Sequence, residues 1–340
     1  SHFRLRARET GQNTQRTSQS DHRAVMIPRS VKTFAPATIS NLGPGFDVLG
    51  VAVRAPGDFV VASRQTELGL SFSVKTDQTH VPQDPERNVA AYVAQLMLHE
   101  LKLSFGIQMM LQKSMPIGSG LGSSAASSVA AAMAVNELLP KPLKKSNLLR
   151  FALEGELFAC GSLHADNAAP SLFGGGCLIR SYDPLDVVPI TIDPSLVWIV
   201  VHPHMVVLTK KARAILPRSV PLRSAVRQWG NVAGLVLGLA RGDRDLIRRS
   251  VEDVIMEPAR ARLIPGFDDV KRAALKAGAL GCSISGSGPS VFSIAPSMRA
   301  ARIISTAMTT SFRRAAGVSS DVFISRTNLC GASVVWRKDA

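Results

Sequence analysis

The sequence predicts an α+β protein of two domains, and three observations carry that expectation. Short apolar or alternating runs of strand character are interleaved with longer runs at helical spacing along the chain. Its 340 residues, 46% of them hydrophobic, can bury a sizeable core and exceed one domain of common size. Two Gly/Ser-rich loops, one in each half, suggest a ligand held between the halves.

Taken in order, the chain begins with a distinct element. Residues 1–30 hold six arginines, only two acids (Glu9 and Asp21) and few apolar anchors, which predicts a flexible basic extension. The composition also resembles the remnant of an organellar transit sequence, with Met26 as an alternative start. Val31 to Ala35 alternates as a strand does, Pro36 to Asp47 is a turn-rich loop, and Gly50 to Arg54 starts a second strand. In that loop Gly43, Pro44 and Gly45 permit a reversal that can aim Asn41 and Asp47 into one cavity, although both are also ordinary turn formers. Val89 to Leu101 has helical spacing, Gly106 to Gln112 reads as a strand, and Ala125 to Val135 is an alanine-rich, helix-prone run. Ser146 to Cys160 is an amphipathic helix bearing Glu154 and Glu156, followed by His164, Asp166, Asn167 and the triple glycine from Gly174 to Gly176.

In the second half, Val197 to Val201 reads as a buried strand, Leu208 to Arg213 leads into another element, and Val226 to Leu239 is an apolar helix. Glu257-Pro258-Ala259-Arg260 lies within the stretch from Asp253 to Arg262. Gly281 to Phe292 gives a strand, the second Gly/Ser loop and a strand. A plain hairpin remains the simpler reading of that loop, as surface charge does for Arg213 and Arg260.

Composition removes several classes of function. The net charge of +15 is dispersed beyond the first thirty residues, and aromatics make up only 5% of the chain, so no basic stacking platform for nucleic acid is present. A basic surface equally suits anionic metabolites such as nucleotides. No apolar run approaches the roughly 18 residues of a membrane span. The best, Val197 to Leu208, is interrupted by His202, Pro203 and His204. Cys160, Cys177, Cys282 and Cys330 show no C-x-x-C spacing and read as buried free thiols without a redox or metal role.

The first Gly/Ser loop carries the chemistry. Pro116 to Ala126 places three glycines and three serines directly before the helix-prone run, where free backbone amides and the helix dipole form an anion site. A serine-capped helix start is the plainer alternative. No lysine occurs between Lys113 and Lys141, which excludes a P-loop, and Gly118, Gly120 and Gly122 are spaced wrongly for a dinucleotide fingerprint. Serine hydroxyls there can hold Mg²⁺ given a carboxylate partner. The cluster of His164, Asp166 and Asn167 comes without a G-x-S-x-G elbow, so a hydrolase triad is not supported. His202 and His204 lack a third ligand for zinc.

These residues together resemble a known family. Pro116 to Ala126 is similar to the second motif of the GHMP kinases, the superfamily of galactokinase, homoserine kinase, mevalonate kinase and phosphomevalonate kinase, and Gly281 to Phe292 resembles its third. Ala35 to Gly50 resembles the first motif of the homoserine kinase branch, without the Pro-Gly-Lys start and Gly-Glu-His end of mevalonate kinases. His164 to Asn167, Glu257 to Arg260 and Leu263 to Phe267 also resemble that branch, and the likeness runs from about Val31 to the end.

The resemblance implies a two-domain GHMP kinase fold: an ATP-binding domain of the ribosomal protein S5 domain 2-like type over residues 31–185 and an α/β-sandwich domain over 186–340. It implies ATP-dependent phosphorylation of the L-homoserine hydroxyl to O-phospho-L-homoserine, a step towards threonine. ATP would lie on Pro116, Gly118, Ser119, Gly120, Leu121, Gly122, Ser123, Ser124 and Ala125, with Asn88; Gly286, Ser287 and Gly288 form the third glycine motif. Mg²⁺ would sit between Ser123 and Glu156, with Ser124 as the alternative hydroxyl. Asp47 and Asn41 would meet the substrate's ammonium and backbone side, Arg213 and Arg260 its carboxylate, and His164 and Asn167 its side chain. Thr209 would lie nearby and complete a catalytic set with Asn167 and His164.

That inventory matches a zwitterion bearing a hydroxyl. Guanidinium forks suit a carboxylate and an acid suits an ammonium, whereas mevalonate has no ammonium to satisfy. Where many superfamily members have a basic aspartate, this chain has Asn167, whose amide cannot accept a proton at neutral pH; a mechanism without a strong protein base is therefore expected. The alternatives are another small-alcohol kinase of mevalonate type or a non-catalytic binding member, which would be expected to lose Glu156, the serines or the arginines. By analogy the chain is expected to form a homodimer in the cytoplasm, or in a plastid if the extension is a transit remnant.

Overall fold

The computed structural model describes residues 28–78 and 80–339. Residues 1–27, and with them most of the expected extension and Met26, lie outside the described residues. Arg29 already belongs to a sheet edge, its amide donating to the Lys338 carbonyl at 2.9 Å.

In chain order the elements are β1 (Ser30–Ser40), β2 (Leu49–Gln65), β3 (Leu70–Thr76), α1 (Val89–Glu100), β4 (Gly106–Lys113), α2 (Ser123–Glu137), α3 (Lys145–Cys160), α4 (Ala165–Phe173), β5 (Gly176–Tyr182), β6 (Leu185–Ile190) and β7 (Val197–Pro203). There follow α5 (Thr209–Ala214), α6 (Leu222–Arg241), α7 (Arg244–Ser250), α8 (Glu257–Arg260), α9 (Phe267–Lys276), β8 (Gly281–Ile284), β9 (Val291–Ala295), α10 (Met298–Ala316), β10 (Ser320–Ser325) and β11 (Ser333–Lys338). The strands and helices read from the sequence at β1, β2, α1, β4, α2, α3, β7, α6, β8 and β9 are present, while β3, β5, β6, α7, α10, β10 and β11 had no reading there. One boundary differs for a physical reason. The loop expected from Pro36 begins only after Ser40, because β1 pairs with β2 in two registers, shifting between Pro36 and Thr38. A proline is tolerated at such an irregularity, where the ladder needs no amide.

The first sheet has seven strands: β11, β1, β2, β4 and β3 in that order, with β5 paired to β2 and β6 to β5. All pairs are antiparallel except β3 with β4. α2 is buried along nearly its whole length. Its alanines and serines let neighbours approach closely; a Cβ added at Gly155 of α3 would stand 2.3 Å from Ser128 Oγ. The expected boundary at 185/186 does not divide the sheets. β6 stays with the first sheet, and β11 returns to it beside β1, covering what would otherwise be an open strand edge.

The second sheet, ordered β10, β7, β9, β8, is antiparallel throughout. β7 is buried on both faces, which is why it reads as a continuous apolar run. Val197, Ile199 and Val201 join Phe267 and Val270 of α9 and Ile304, Met308 and Phe312 of α10. Trp198 and Val200 point the other way, into a core with Phe292, Ile294, Leu235 and Leu239. Each large side chain so buried contributes roughly 1.5–3 kcal/mol. No helix among the described residues is long and apolar enough to cross a membrane.

Candidate active site

A cavity of about 940 Å³ opens where three loops meet. The first loop joins β1 to β2. Asn41, Leu42 and Asp47 take left-handed φ values of 70°, 47° and 59°, a conformation that non-glycine residues hold only when surroundings enforce it. Asn41 provides much of that enforcement: its Oδ1 accepts the Asp47 amide at 3.0 Å and its Nδ2 donates to the Gly286 carbonyl at 2.9 Å. Gln228 Nε2 of α6 adds a bond to the Pro44 carbonyl at 2.8 Å. The reversal brings Asn41 and Asp47 onto one cavity wall, with the asparagine side chain spent on bracing the loop.

The second loop leads into α2. Gly118, Gly120 and Gly122 have φ values of 65°, 77° and 65°. The helix starts at Gly122 with no side-chain cap, so the serines expected as possible caps do not serve as such, and its first amides remain available to an anion. Gly118, Ser119, Gly120, Gly122, Ser123 and Ser124 line the cavity together with Asn88. Pro116, Leu121, Ala125 and, from the third loop, Gly288 are not on the lining; Leu121 and Ala125 are fully buried in the apolar core, where their side chains belong. Asn88 caps α1, its Oδ1 accepting the Ala90 amide at 3.0 Å while Nδ2 donates to the Pro82 carbonyl at 2.8 Å.

The third loop, between β8 and β9, packs backbone to backbone on the second. Ser285 Oγ donates to the Gly120 carbonyl at 2.7 Å, and a Cβ on Gly120 would lie 2.3 Å from the Ser285 carbonyl oxygen. Below the second loop is a buried cluster that sequence reading missed. Lys113 Nζ is paired with the Asp58 carboxylate and donates to the Ser123 carbonyl at 2.8 Å and Ser127 Oγ at 2.9 Å. Asp58 Oδ1 accepts the amides of Ser114 and Met115. Its only sequence signal is a charge inside each of two apolar strands, β2 and β4.

At the far end of the cavity Arg213 of α5 holds Asp47 with two parallel bonds of 3.0 Å each. Burial works against the Arg213 charge, but Asp47 outweighs it and raises the pKa. Arg260 of α8 donates to the Gly286 carbonyl at 2.8 Å, and both guanidinium groups lie over the Phe46 ring, at 5.3 Å for Arg213 and 4.9 Å for Arg260. Thr209 Oγ1 stands 3.3 Å from Ser287 Oγ.

His164, at the start of α4, has Nδ1 3.3 Å from Glu156 Oε2. Burial opposes its charge, yet the Cys160 thiol and the carboxylates of Glu156 and Asp166 prevail and raise its pKa to about 10. Against that, the 3.3 Å approach of Arg213 Nη2 to His164 Nε2 sets two donors face to face if the ring is protonated, so the Arg213 contact opposes the charge that the carboxylates favour. Glu156 Oε1 is buried without a partner. Cys160, half-buried, brings its sulfur within 4.8 Å of ligand atoms of Glu156 and His164; Cys330 is exposed, so two of the four thiols differ from the buried setting expected for them. Asp166 is buried with Oδ1 unpaired, and burial followed by the charge of Asp47 raises its pKa to about 7. Asn167 Oδ1 accepts a 2.7 Å bond from Thr38 Oγ1, a residue that sequence reading also passed over.

Residues 88–175 match the N-terminal domain of the GHMP kinases and residues 235–313 their C-terminal domain. A homoserine kinase of Chlorobaculum tepidum is 46% identical over 90% of this chain and 98% of its own length. One from Methanococcus vannielii is 40% identical over 78% and 88%. The crystal structure of a homoserine kinase from Cytophaga hutchinsonii superposes with a TM-score of 0.87 at 49% identity, covering 95% of this chain and all of that one. The chain belongs to the homoserine kinase family of GHMP kinases. Within the superfamily the fold extends to L. major mevalonate kinase, with a TM-score of 0.69 at 18% identity over 93% of this chain and all of that one. Of the residues expected at a GHMP kinase site, the cavity gathers Asn41, Asp47, Asn88, Glu156, His164, Asn167, Thr209, Arg213, Arg260, Gly286 and Ser287 with the second loop.

Proposed function

We infer that this chain transfers the γ-phosphoryl group of ATP to the side-chain hydroxyl of L-homoserine, giving O-phospho-L-homoserine and ADP on the route to threonine. One juxtaposition carries the reading: the Arg213–Asp47 pair, with Arg260 beside it, lines the same cavity as the uncapped start of α2. A zwitterionic amino acid can exchange into that pair. Its carboxylate takes the place of Asp47 on the Arg213 fork and its ammonium takes the place of Arg213 on Asp47, so neither charge is stranded. The hydroxyl is then directed along the cavity towards Asn167 and the phosphate loop.

ATP phosphates fit the loop from Gly118 to Ser124 because it lines the cavity, its glycines carry no side chain to bar close approach, and the first amides of α2 have no side-chain cap. Ser123, with Ser124 as the other hydroxyl, and the unpartnered Oε1 of Glu156 form a hard oxygen donor set of the kind Mg²⁺ takes. Bound there, Mg²⁺ supplies charge neutralisation on the transferring phosphoryl group. His164 Nδ1–H holds Glu156 Oε2 and so fixes the carboxylate's orientation. The substrate oxygen forms its bond to Pγ as the bond to the β,γ-bridging oxygen breaks, and the hydroxyl proton passes late to a phosphoryl oxygen or solvent. Asn167 takes no proton. We assign nucleotide binding to the first-sheet domain, and a cytoplasmic homodimer as the working assembly; the relatives lend the plastid alternative no support.

The test is ADP release with Mg-ATP against L-homoserine, D-homoserine, L-serine, L-threonine and mevalonate. Turnover on L-homoserine far above the others is expected; preference for mevalonate, or no turnover on any alcohol, overturns the reading.

A further inference from the structure

Asn167 occupies the position between phosphate loop and substrate, and what its amide can do there depends on which way round it lies. Oxygen and nitrogen of an amide are told apart by the bonds they make. Thr38 decides the matter. Its side chain is wholly buried, and its hydroxyl is 2.7 Å from Asn167 and bonds to no other described residue. A buried hydroxyl must place its one hydrogen on an acceptor. If the amide were reversed, Asn167 Nδ2 would face Thr38 Oγ1 and the threonine hydrogen would have nowhere to go. With Oδ1 towards Thr38 the hydroxyl is satisfied, and Nδ2, which donates to no described residue, opens on the cavity.

The surroundings lock this pair in place. Gly122, at the start of α2, lies against it so closely that a Cβ there would stand 2.1 Å from Thr38 Oγ1 and 2.8 Å from Asn167 Oδ1. The Thr38 amide donates to the Leu121 carbonyl at 3.0 Å, tying β1 to the same loop. Thr38 therefore reads the position of the phosphate loop and passes it to Asn167.

We propose that Thr38 is a positioning residue for phosphoryl transfer, holding Asn167 so that its Nδ2–H₂ donates to the oxygens at the reacting centre and its carbonyl is withdrawn from the substrate proton. The proposal rests on the homoserine kinase reading above. In this arrangement Asn167 aligns the attacking oxygen and the transferring phosphoryl group through donated bonds, a geometric contribution made at the transition state more than on binding.

The experiment is steady-state kinetics of Thr38→Val and Thr38→Ser in the wild-type and Asn167→Ala backgrounds. Valine keeps the shape and removes the donor. Its kcat is expected to fall by at least about 10-fold, with KM for ATP and L-homoserine within about threefold. Serine restores the donor, and its kcat should return to within about threefold of wild type. In the Asn167→Ala background Thr38→Val should have no further effect, because the group it positions is gone. Unchanged kcat in Thr38→Val, a serine variant as slow as the valine one, or an undiminished loss in the Asn167→Ala background would each overturn the proposal. If the valine variant does not fold, Thr38→Ala compared with Thr38→Ser carries the same contrast. A wild-type enzyme inactive on L-homoserine sinks the substrate reading; an active one indifferent to Thr38→Val sinks only the positioning role.

Discussion

At the scale of single residues, two side chains of α4 have opposite tasks. Asn167 donates and carries no charge, so Asn167→Asp removes the donor and puts a negative charge beside phosphate. Its kcat is expected to drop by at least about 10-fold throughout the pH profile. Intact turnover with a new acidic limb would show a working carboxylate base and contradict the account. Asp166 is a carboxyl whose folded pKa is raised from 3.8 to about 7, chiefly by burial. Below the unfolded value both states are protonated and nothing is lost. Between 3.8 and about 7 the unfolded state ionises while the folded one keeps its proton, so stability falls across that window and levels off above it. Asp166→Asn removes that loss, so the Tm advantage of the variant over wild type should be small at pH 5 and larger at pH 8. Equal Tm differences at both pH values would contradict it. That Asn41 and Asp47 can share a wall was legible because a Gly-Pro-Gly reversal permits it, whereas Arg213, by itself a plain surface charge, was reached only through the family resemblance. Thr38 and Asp58 were not, since a threonine or aspartate inside a strand has meaning only through partners more than fifty positions away.

At the scale of elements, the start of α2 depends on glycine for two separate reasons. Gly120 has φ of 77° and faces the Ser285 carbonyl oxygen, 2.3 Å from where a Cβ would be. Gly120→Ala should therefore destabilise by roughly 2 kcal/mol or more and raise KM for ATP, because loops two and three must separate. Gly278 has φ of 96° but nothing within 4 Å of its Cβ position, and serves as the control: alanine there brings backbone strain alone, about 1 kcal/mol. Equal loss at both positions in thermal melts would mean that the loop contact is unimportant. The support beneath α2 is charged and buried, and breaking it is costly. Lys113→Met leaves Asp58 without its partner and should lose about 3–5 kcal/mol in denaturant unfolding. Helices α1, α3 and α6 and strand β4 were readable from periodicity. The length of β1 was not, because the second register that carries it past Pro36 belongs to β2.

At the scale of the whole molecule, the site exists only where the two sheets' loops interlock. Asn41 and Arg260 share the Gly286 carbonyl, Gln228 reaches the Pro44 carbonyl, and Ser290 donates its amide to the Ser119 carbonyl at 3.2 Å. The two glycine loops in the sequence pointed to a ligand between halves; the return of β11 to the first sheet did not show, since strand pairing between the two ends of a chain leaves no local pattern. On the proposed function, the glycine loop before α2, Asp47 and the Arg213 fork line one cavity, and a zwitterion would exchange into its internal ion pair. The measurement that bears on this most directly is kcat/KM of the wild-type enzyme for L-homoserine beside 4-hydroxybutyrate, which lacks the ammonium, and 3-aminopropan-1-ol, which lacks the carboxylate. Exchange into the half-buried Arg213–Asp47 pair predicts a loss of at least about 100-fold for either truncated alcohol, because each leaves one charge of the pair without its partner. Turnover of either alcohol as efficient as that of L-homoserine would contradict it.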